Sequence, residues 1–156
     1  MNLLENTDKK VALVILSGCP GAGKSTWGKK FSIDSGVVYV STDEIRKELS
    51  GDESNQSVSA NAFAIARRRV SNALSIGKSV MIDATNVNKK ARKDWIDLGK
   101  THNAYIVAVA FEVSKAELIK RDTNRERHVG EEIITRFFDK YERPSTEEMI
   151  DKIIVK

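Results

Sequence analysis

The glycine-rich stretch "GCPGAGKST" at residues 18–26 constrains the fold more than any other part of the chain. It follows the apolar run "VALVIL" at 11–16 and precedes the helical pattern "STWGKKF". Gly18, Gly21 and Gly23 allow a tight bend in which consecutive backbone N–H groups can point at phosphate oxygens. A loop of this spacing, between a strand and a helix, is typical of phosphate-binding loops. The sequence therefore predicts a strand–loop–helix unit that binds a nucleoside triphosphate.

The residues at the end of this loop have separate expected roles. The start of the following helix favours negative charge, because its free N–H groups and its dipole point toward the ligand. We expect Lys24 to reach the β- and γ-phosphates of ATP or another nucleoside triphosphate, and the Ser25 hydroxyl to bind Mg²⁺. The predicted ATP-binding residues in this loop are Gly18, Gly21, Ala22, Gly23, Lys24, Ser25 and Thr26.

The rest of the chain alternates between apolar runs and helical patterns. The runs lie at 11–16, 37–40, 80–82 and 104–111. This alternation predicts an α/β fold with a central parallel sheet and helices on both faces. The longest runs are continuously apolar rather than alternating with polar residues, which suits strands that are covered on both sides.

The length and composition of the chain fit one domain. Its 156 residues are 40% hydrophobic and 31% charged, which suits one core but not two catalytic domains. We therefore expect a single domain over 1–156, with 1–10 as a flexible N-terminus. The net charge of +4 permits a polyanionic partner without requiring one.

Three further features bear on where the protein is found. No apolar run approaches the roughly 20 residues that a membrane-spanning helix needs. The N-terminus "MNLLENTDKK" lacks the apolar stretch of a secretory signal. The single cysteine, Cys19, excludes an internal disulfide and fits a reducing compartment. These features predict a cytoplasmic protein without a membrane partner.

Acidic residues follow two of the predicted strands. Asp43 lies one helical turn before Arg46 in "VYVSTDEIRKEL", so the two side chains face the same side of a helix. Asp43 can accept the proton of an attacking hydroxyl as general base, and Arg46 can grip a phosphate of the acceptor. Asp83 closes "SVMID" and is expected to hold Mg²⁺ beside Ser25. A simpler interpretation is that both aspartates only favour the starts of helices and that Arg46 is solvated.

A basic segment, "KRDTNRERHVGEE" at 120–132, follows a predicted helix. Its arginines at 121, 125 and 127 are followed by Gly130, which allows a hinge. We expect 121–131 to form a lid in which Arg121 and Arg125 close over the triphosphate. Their charge would neutralise the transferred γ-phosphoryl group as the reaction proceeds. The alternative is a solvated basic helix end that opposes the helix dipole.

Five short stretches carry a resemblance to a known family. In chain order they are "GCPGAGKSTW", "STDEIR", "IDATN", "KRDTNRERH" and "FFDKYERP". Together they resemble the polynucleotide 5′-hydroxyl kinases, which include a phage kinase and the kinase domains of bacterial RNA end-healing proteins. The combination of D-x-x-R after the second strand with R-x-x-x-R in the lid is the most specific part of this resemblance.

The resemblance implies an adenylate-kinase-like P-loop fold with an Arg-rich lid. It also implies Mg²⁺-dependent transfer of the γ-phosphate of ATP to a 5′-hydroxyl end of DNA or RNA. The residues that match the family's functional positions are Lys24 and Ser25 in the loop, Asp43 as general base, Arg46 as the arginine on the acceptor's phosphate, and Arg121 and Arg125 in the lid. The predicted catalytic residues among these are Lys24, Asp43 and Arg125.

Other interpretations stay open on the sequence alone. A small-molecule or nucleoside kinase also places D-x-x-R after its second strand, and a phage kinase acting on a hydroxymethylated base in DNA would look similar. The basic runs "ARRRV" at 66–70 and "NKKARK" at 88–93 favour a polymeric acceptor, although each fits a solvated face as well. A nucleotide-dependent switch would leave Asp43 and the lid arginines without an obvious role.

Overall fold

The central sheet is built around the strand that precedes the glycine-rich loop. The computed structural model describes residues 2–156 and contains five strands: β1 (Ala12–Ser17), β2 (Val38–Ser41), β3 (Val80–Asp83), β4 (Tyr105–Ala110) and β5 (Lys152–Val155). Their order in the sheet is β2-β3-β1-β4-β5, and each neighbouring pair is parallel. The predicted α/β fold with a central parallel sheet is confirmed.

Helices cover both faces of this sheet. They are α1 (Lys24–Ser35), α2 (Thr42–Ser50), α3 (Ser59–Ser75), α4 (Lys89–Thr101), α5 (Lys115–Thr123) and α6 (Glu131–Lys140), with 3₁₀ turns at Gln56–Val58 and Thr146–Glu148. Leu13 and Ile15 of β1 pack in a core cluster with α3 and α4, whereas Val14 and Leu16 pack in a cluster with α1, α5 and α6. This double coverage explains why β1 is continuously apolar. No helix among residues 2–156 is both long and apolar enough to cross a membrane.

The last strand, β5, is an element that the sequence analysis did not predict. It lies at the edge of the sheet, where three of its residues are partly buried and Val155 is exposed. Contacts that are distant in sequence fix its position, since the Ile106 N–H donates to Asp151 Oδ2 at 2.8 Å and the Asp151 N–H donates to the Ile106 carbonyl at 2.9 Å. Because β5 has only four residues and is held by contacts that are distant in sequence, its local sequence pattern is too short to predict a strand.

The basic run at 88–93 is not entirely a surface feature. Arg92 is 0% exposed, and its guanidinium donates to the two carboxylate oxygens of Glu148 at 2.8 and 3.1 Å. It also donates to the Asn86 carbonyl at 2.8 Å. The expectation of a basic surface is therefore wrong at Arg92, because a carboxylate far along the chain neutralises it inside the core.

The N-terminal segment has at least one contact with the rest of the fold. Leu3 is buried and belongs to the core cluster that contains Val14 and Leu16. The flexibility of residues 1–10 and the extent of the single domain over 1–156 stay predictions.

Candidate active site

The carboxyl ends of the parallel strands meet at one edge of the sheet and border a cleft of about 800 Å³. In open α/β sheets, ligands bind at this edge. The cleft lies between the glycine-rich loop, the first turn of α2, the end of β3 and the turn at 124–130 between α5 and α6. The sequence-predicted residues that line it are Gly21, Gly23, Lys24, Ser25, Thr26, Asp43, Arg46, Asp83, Arg121 and Arg125.

The glycine-rich loop has a backbone that side chains would obstruct. Gly21 and Gly23 have φ angles of 84° and 95°, in the left-handed region that favours glycine. A Cβ on Gly18 would lie 2.9 Å from the Phe111 carbonyl oxygen, so this position has no room for a side chain. Gly23 is the N-cap of α1 and has no side chain to cap it. The N–H groups in the first turn of α1 are therefore available to an anion.

Lys24 is folded over the loop. Its side chain is buried, and Nζ donates to the carbonyl oxygens of Gly18 at 2.9 Å and Cys19 at 3.0 Å. Burial lowers the pKa of Lys24, and the charge of Asp83 acts in the opposite direction. Phosphate oxygens would compete with two neutral carbonyls for this ammonium and would bind it more strongly. Contact between Lys24 and the β- and γ-phosphates stays a prediction.

The structure brings Ser25 and Asp83 together at the base of the cleft. The Ser25 hydroxyl donates to Asp83 Oδ2 at 2.7 Å, because β3 pairs directly with β1. The Tyr39 hydroxyl donates to the same oxygen, and burial together with this hydrogen bond raises the pKa of Tyr39. Tyr39 could not be predicted as a site residue, because it lies inside an apolar run and only the strand order brings it beside Asp83.

These oxygen atoms suit Mg²⁺. That ion is usually bound through one or two protein oxygens, with phosphate oxygens and water completing its shell. The hydroxyl of Ser25 and the carboxylate of Asp83 are hard oxygen donors beside the phosphate loop. Within residues 2–156, no group of three or more His, Cys, Asp or Glu side chains is arranged to hold a metal. The metal role of Ser25 and Asp83 stays a prediction that the available donors fit chemically.

Asp43 and Arg46 lie together at the start of α2. Ser41 caps this helix, since its hydroxyl accepts the Glu44 N–H at 3.2 Å. Ser41 therefore caps this helix, and the Asp43 side chain is not needed as its cap. Arg46 is 9% exposed and donates to Asp43 Oδ1, so it is not a solvated arginine. The Asp43 side chain is 55% exposed and borders the cleft, where an incoming hydroxyl could reach it.

The predicted lid is a short turn between two helices. Arg121 lies in the last turn of α5 rather than on the connecting segment, and its Nη1 donates to the Gly21 carbonyl at 3.2 Å. Arg125 lies within the turn, with Nη1 close to the same glycine. Both arginines therefore border the phosphate loop. Whether 121–131 closes over a ligand stays a prediction.

Asp122 holds this turn in its present shape. Its carboxylate accepts the N–H groups of Val129 at 2.7 Å and Gly130 at 2.9 Å. Burial raises the pKa of Asp122, but these two hydrogen bonds and the charges of His128 and Arg125 outweigh it, so the pKa lies below its usual value. Asp122 was not among the predicted site residues. Its position as an acidic residue close to several arginines is the sequence feature that could have indicated it.

The fold and the site together define a P-loop kinase, a class of phosphotransferase that takes its phosphate from a nucleotide. A central strand leads into the phosphate loop, and a turn that carries arginines borders the same cleft. Comparison with protein families agrees, since residues 13–144 match the model of the AAA_33 family, which is described as an AAA domain. The chain belongs to this family.

Two curated relatives differ in the acceptors that their names specify. The chain is 29% identical over 144 residues to the L-seryl-tRNA(Sec) kinase of Methanococcus maripaludis, covering 86% of this chain and 54% of that protein. It is 29% identical over 121 residues to a candidate bifunctional polynucleotide phosphatase/kinase of Acanthamoeba polyphaga mimivirus, covering 78% of this chain and 25% of that protein. The chain thus spans about half of the first relative and a quarter of the second.

A solved structure has a chain with the same fold. That chain belongs to the structure of the Pnkp1/Rnl/Hen1 RNA repair complex. It matches this protein with a TM-score of 0.75 and 24% identity, over 87% of this chain and 45% of the chain in the complex. This likeness supports the P-loop kinase architecture that the sheet order defines.

Proposed function

We propose that this chain is a polynucleotide 5′-hydroxyl kinase, which transfers the γ-phosphate of ATP to the 5′-hydroxyl end of DNA or RNA. The observation that carries the proposal is the pairing of Asp43 with Arg46 in the wall of the cleft, two strands away from the phosphate loop. A base next to a phosphate-binding group is the arrangement that an acceptor hydroxyl with a neighbouring phosphate requires.

The donor side of the cleft would bind the triphosphate. The N–H groups of the loop and of the first turn of α1 face its oxygens, and Lys24 exchanges its carbonyl partners for phosphate. Ser25 and Asp83 would hold Mg²⁺, which when bound supplies positive charge at the phosphates.

Asp43 would take part in the proton transfer. The acceptor's phosphate first binds the Arg46 guanidinium in place of Asp43, which frees the carboxylate. As the acceptor oxygen bonds to the γ-phosphorus, its proton moves to Asp43, and the bond from phosphorus to the bridging oxygen breaks to release ADP. A positioned general base of this kind contributes about 10²–10⁴-fold in rate.

Arg121 and Arg125 would act on the group in transfer. Both border the phosphate loop, where negative charge spreads over the γ-phosphoryl oxygens in the transition state. An arginine in this role contributes about 10³–10⁵-fold in other phosphoryl-transfer enzymes.

A second acceptor class has an observation in its favour. The likeness to a seryl-tRNA kinase covers 86% of this chain, so a seryl hydroxyl attached to RNA is a competing acceptor. Both acceptors present an alcohol close to nucleic-acid phosphates, which the pair of Asp43 and Arg46 fits.

The test is a transfer assay with labelled ATP and a panel of acceptors. The panel contains 5′-hydroxyl DNA and RNA oligonucleotides, the same oligonucleotides carrying a 5′-phosphate, bare nucleosides, seryl-tRNA and a sugar. The proposal predicts label on the 5′-hydroxyl ends and none on the 5′-phosphorylated controls. Label confined to seryl-tRNA would support the second class instead, and label confined to nucleosides or sugar would contradict both.

A further inference from the structure

An ion pair bridges the cleft on its acceptor side. Glu53 lies in the segment 51–55, between α2 and the 3₁₀ turn, and Arg127 lies in the turn between α5 and α6. Arg127 Nη1 is 2.5 Å from Glu53 Oε1, and both residues line the cleft. The pair therefore links two separate walls of the cavity that the acceptor has to enter.

Arg46 belongs to the same group of charges. Its Nε donates to the Glu53 carbonyl at 2.9 Å, and its Nη2 donates to Asp43. Arg46 and Arg127 therefore both contact Glu53, Arg46 at its carbonyl and Arg127 at its carboxylate. Burial lowers the pKa of Arg46, and the positive charge of Arg127 acts in the same direction. The cleft thus holds two arginines on facing walls, Arg46 on α2 and Arg127 in the turn after α5, and each is paired with a carboxylate that an anionic ligand can replace.

The Glu53–Arg127 contact should be easy to replace. The two side chains are 41% and 45% exposed, and ion pairs this accessible to water contribute little free energy. Glu53 accepts only one N–H of Arg127, from Nη1, whereas a phosphate can accept two N–H groups of a guanidinium at once, so a phosphate gains a hydrogen bond when it replaces Glu53. The other two arginines of this basic segment border the phosphate loop instead: Arg121 from the last turn of α5 and Arg125 from the turn itself.

We propose that Arg127 is a second phosphate-recognition residue for the acceptor, and that Glu53 occupies it until the acceptor arrives. This inference rests on the proposed function and narrows its substrate class. The preferred acceptor carries its hydroxyl next to a phosphate that Arg46 and Arg127 bind together, as in a nucleic-acid end, and a bare alcohol lacks this contact.

The experiment compares a nucleoside 3′-monophosphate with the bare nucleoside. Equilibrium binding of each is measured without ATP, and transfer of labelled phosphate to each is measured separately. The variants are Arg127→Ala, Glu53→Gln and the double variant. Matched controls are Arg136→Ala and Glu132→Gln, which alter an exposed ion pair on α6 with a separation of 3.3 Å. Arg46→Ala is a positive comparison.

We expect Arg127→Ala to weaken binding of the monophosphate and its kcat/KM by on the order of 10- to 100-fold. The bare nucleoside should change little. Glu53→Gln should tighten binding of the monophosphate, and this gain should shrink in the Arg127→Ala background, because Glu53 competes mainly for Arg127. Any ion pair shows coupling between its two substitutions, so the sign of the Glu53→Gln effect is the deciding result. A pair with only a structural role would be broken by Glu53→Gln, and binding of the monophosphate would weaken or stay the same rather than tighten.

Three results would overturn the inference. The first is that Arg127→Ala matches Arg136→Ala with both ligands, and the second is that Arg127→Ala weakens binding of both ligands equally. The third is that the wild-type chain binds the monophosphate no more tightly than the nucleoside. If wild-type protein binds the monophosphate but phosphorylates no 5′-hydroxyl acceptor, the proposed function fails, while the binding comparison still decides the role of Arg127.

Discussion

Breaking the buried pair of Arg92 and Glu148 is expected to destabilise the fold strongly. Their side chains are 0% and 7% exposed, and the guanidinium donates to both carboxylate oxygens. The substitution Glu148→Ala removes the negative partner and leaves the Arg92 charge inside the core. Arg92 also donates to the Asn86 carbonyl and, at 3.3 Å, to the Ser17 hydroxyl, so the change reaches the strand end below the phosphate loop.

The expected size follows from the burial of the pair. Removing one partner of a buried ion pair costs about 3–5 kcal/mol, against a typical unfolding free energy of about 5–15 kcal/mol. For a chain of this length each kcal/mol lowers the melting temperature by about 2–4 °C. We therefore expect Glu148→Ala to lower it by about 6–20 °C.

The expected loss of stability is measured by circular dichroism melts and urea titrations. The variants compared are Glu148→Ala, Glu48→Ala and a double variant. Glu48→Ala is the control, since it removes a partner of Arg69 from an exposed pair of 2.7 Å and should cost only a small fraction of the loss at Glu148. The double variant Arg92→Met with Glu148→Leu should recover most of the lost stability, because no unpaired charge remains. Equal melting temperatures for Glu148→Ala and Glu48→Ala would refute this reasoning.

Two further predictions concern the cleft, and a third concerns the turn that Asp122 holds. Lys24→Met should abolish phosphate transfer while circular dichroism shows an intact fold, because Lys24 supplies charge to the phosphates. Transfer at the wild-type rate by the folded variant would contradict the interpretation of this loop as the binding site for the donor's phosphates. Arg125→Ala should lower kcat by at least about 10²-fold with a smaller change in acceptor KM, measured in steady state, because its charge matters most in the transition state; a change in acceptor KM alone would assign it to acceptor binding. The pKa of Asp122 is lowered in the folded chain, so its contribution to stability is present above the usual carboxyl pKa and is lost as the pH falls through the lowered value. In urea titrations at a series of pH values, the free energy of unfolding of Asp122→Asn should therefore fall less at acid pH than that of the wild type. The same pH dependence in both proteins would contradict this role of Asp122.

Much of the fold follows from local sequence patterns. The glycine spacing before Lys24 fixes a strand–loop–helix unit, and the continuous apolar run of β1 indicates a strand buried on both faces. Asp43 and Arg46 could be paired from their spacing of one helical turn. These features depend on residues close together in the chain.

What the sequence did not reveal depends on residues far apart in the chain. Arg92 lies in a run that looks like a basic surface, and only Glu148 explains its burial. Tyr39 reaches Asp83 because β2 and β3 are neighbours in the sheet. Glu53 lies in a polar loop without a motif, and its contact with Arg127 exists only once two walls of the cleft face each other.

The most direct test of the central claim is the rate of phosphate transfer by Asp43→Asn. Single-turnover transfer from labelled ATP to a 5′-hydroxyl oligonucleotide is compared with Glu44→Gln, which alters the neighbouring carboxylate in the same helical turn, where it pairs with Lys29 at 3.0 Å. With Asp43 as general base, Asp43→Asn loses about 10²–10⁴-fold in transfer rate, ATP binding is unchanged, and Glu44→Gln stays near wild type. Transfer by Asp43→Asn at the wild-type rate, or an equal loss in both variants, would contradict the account.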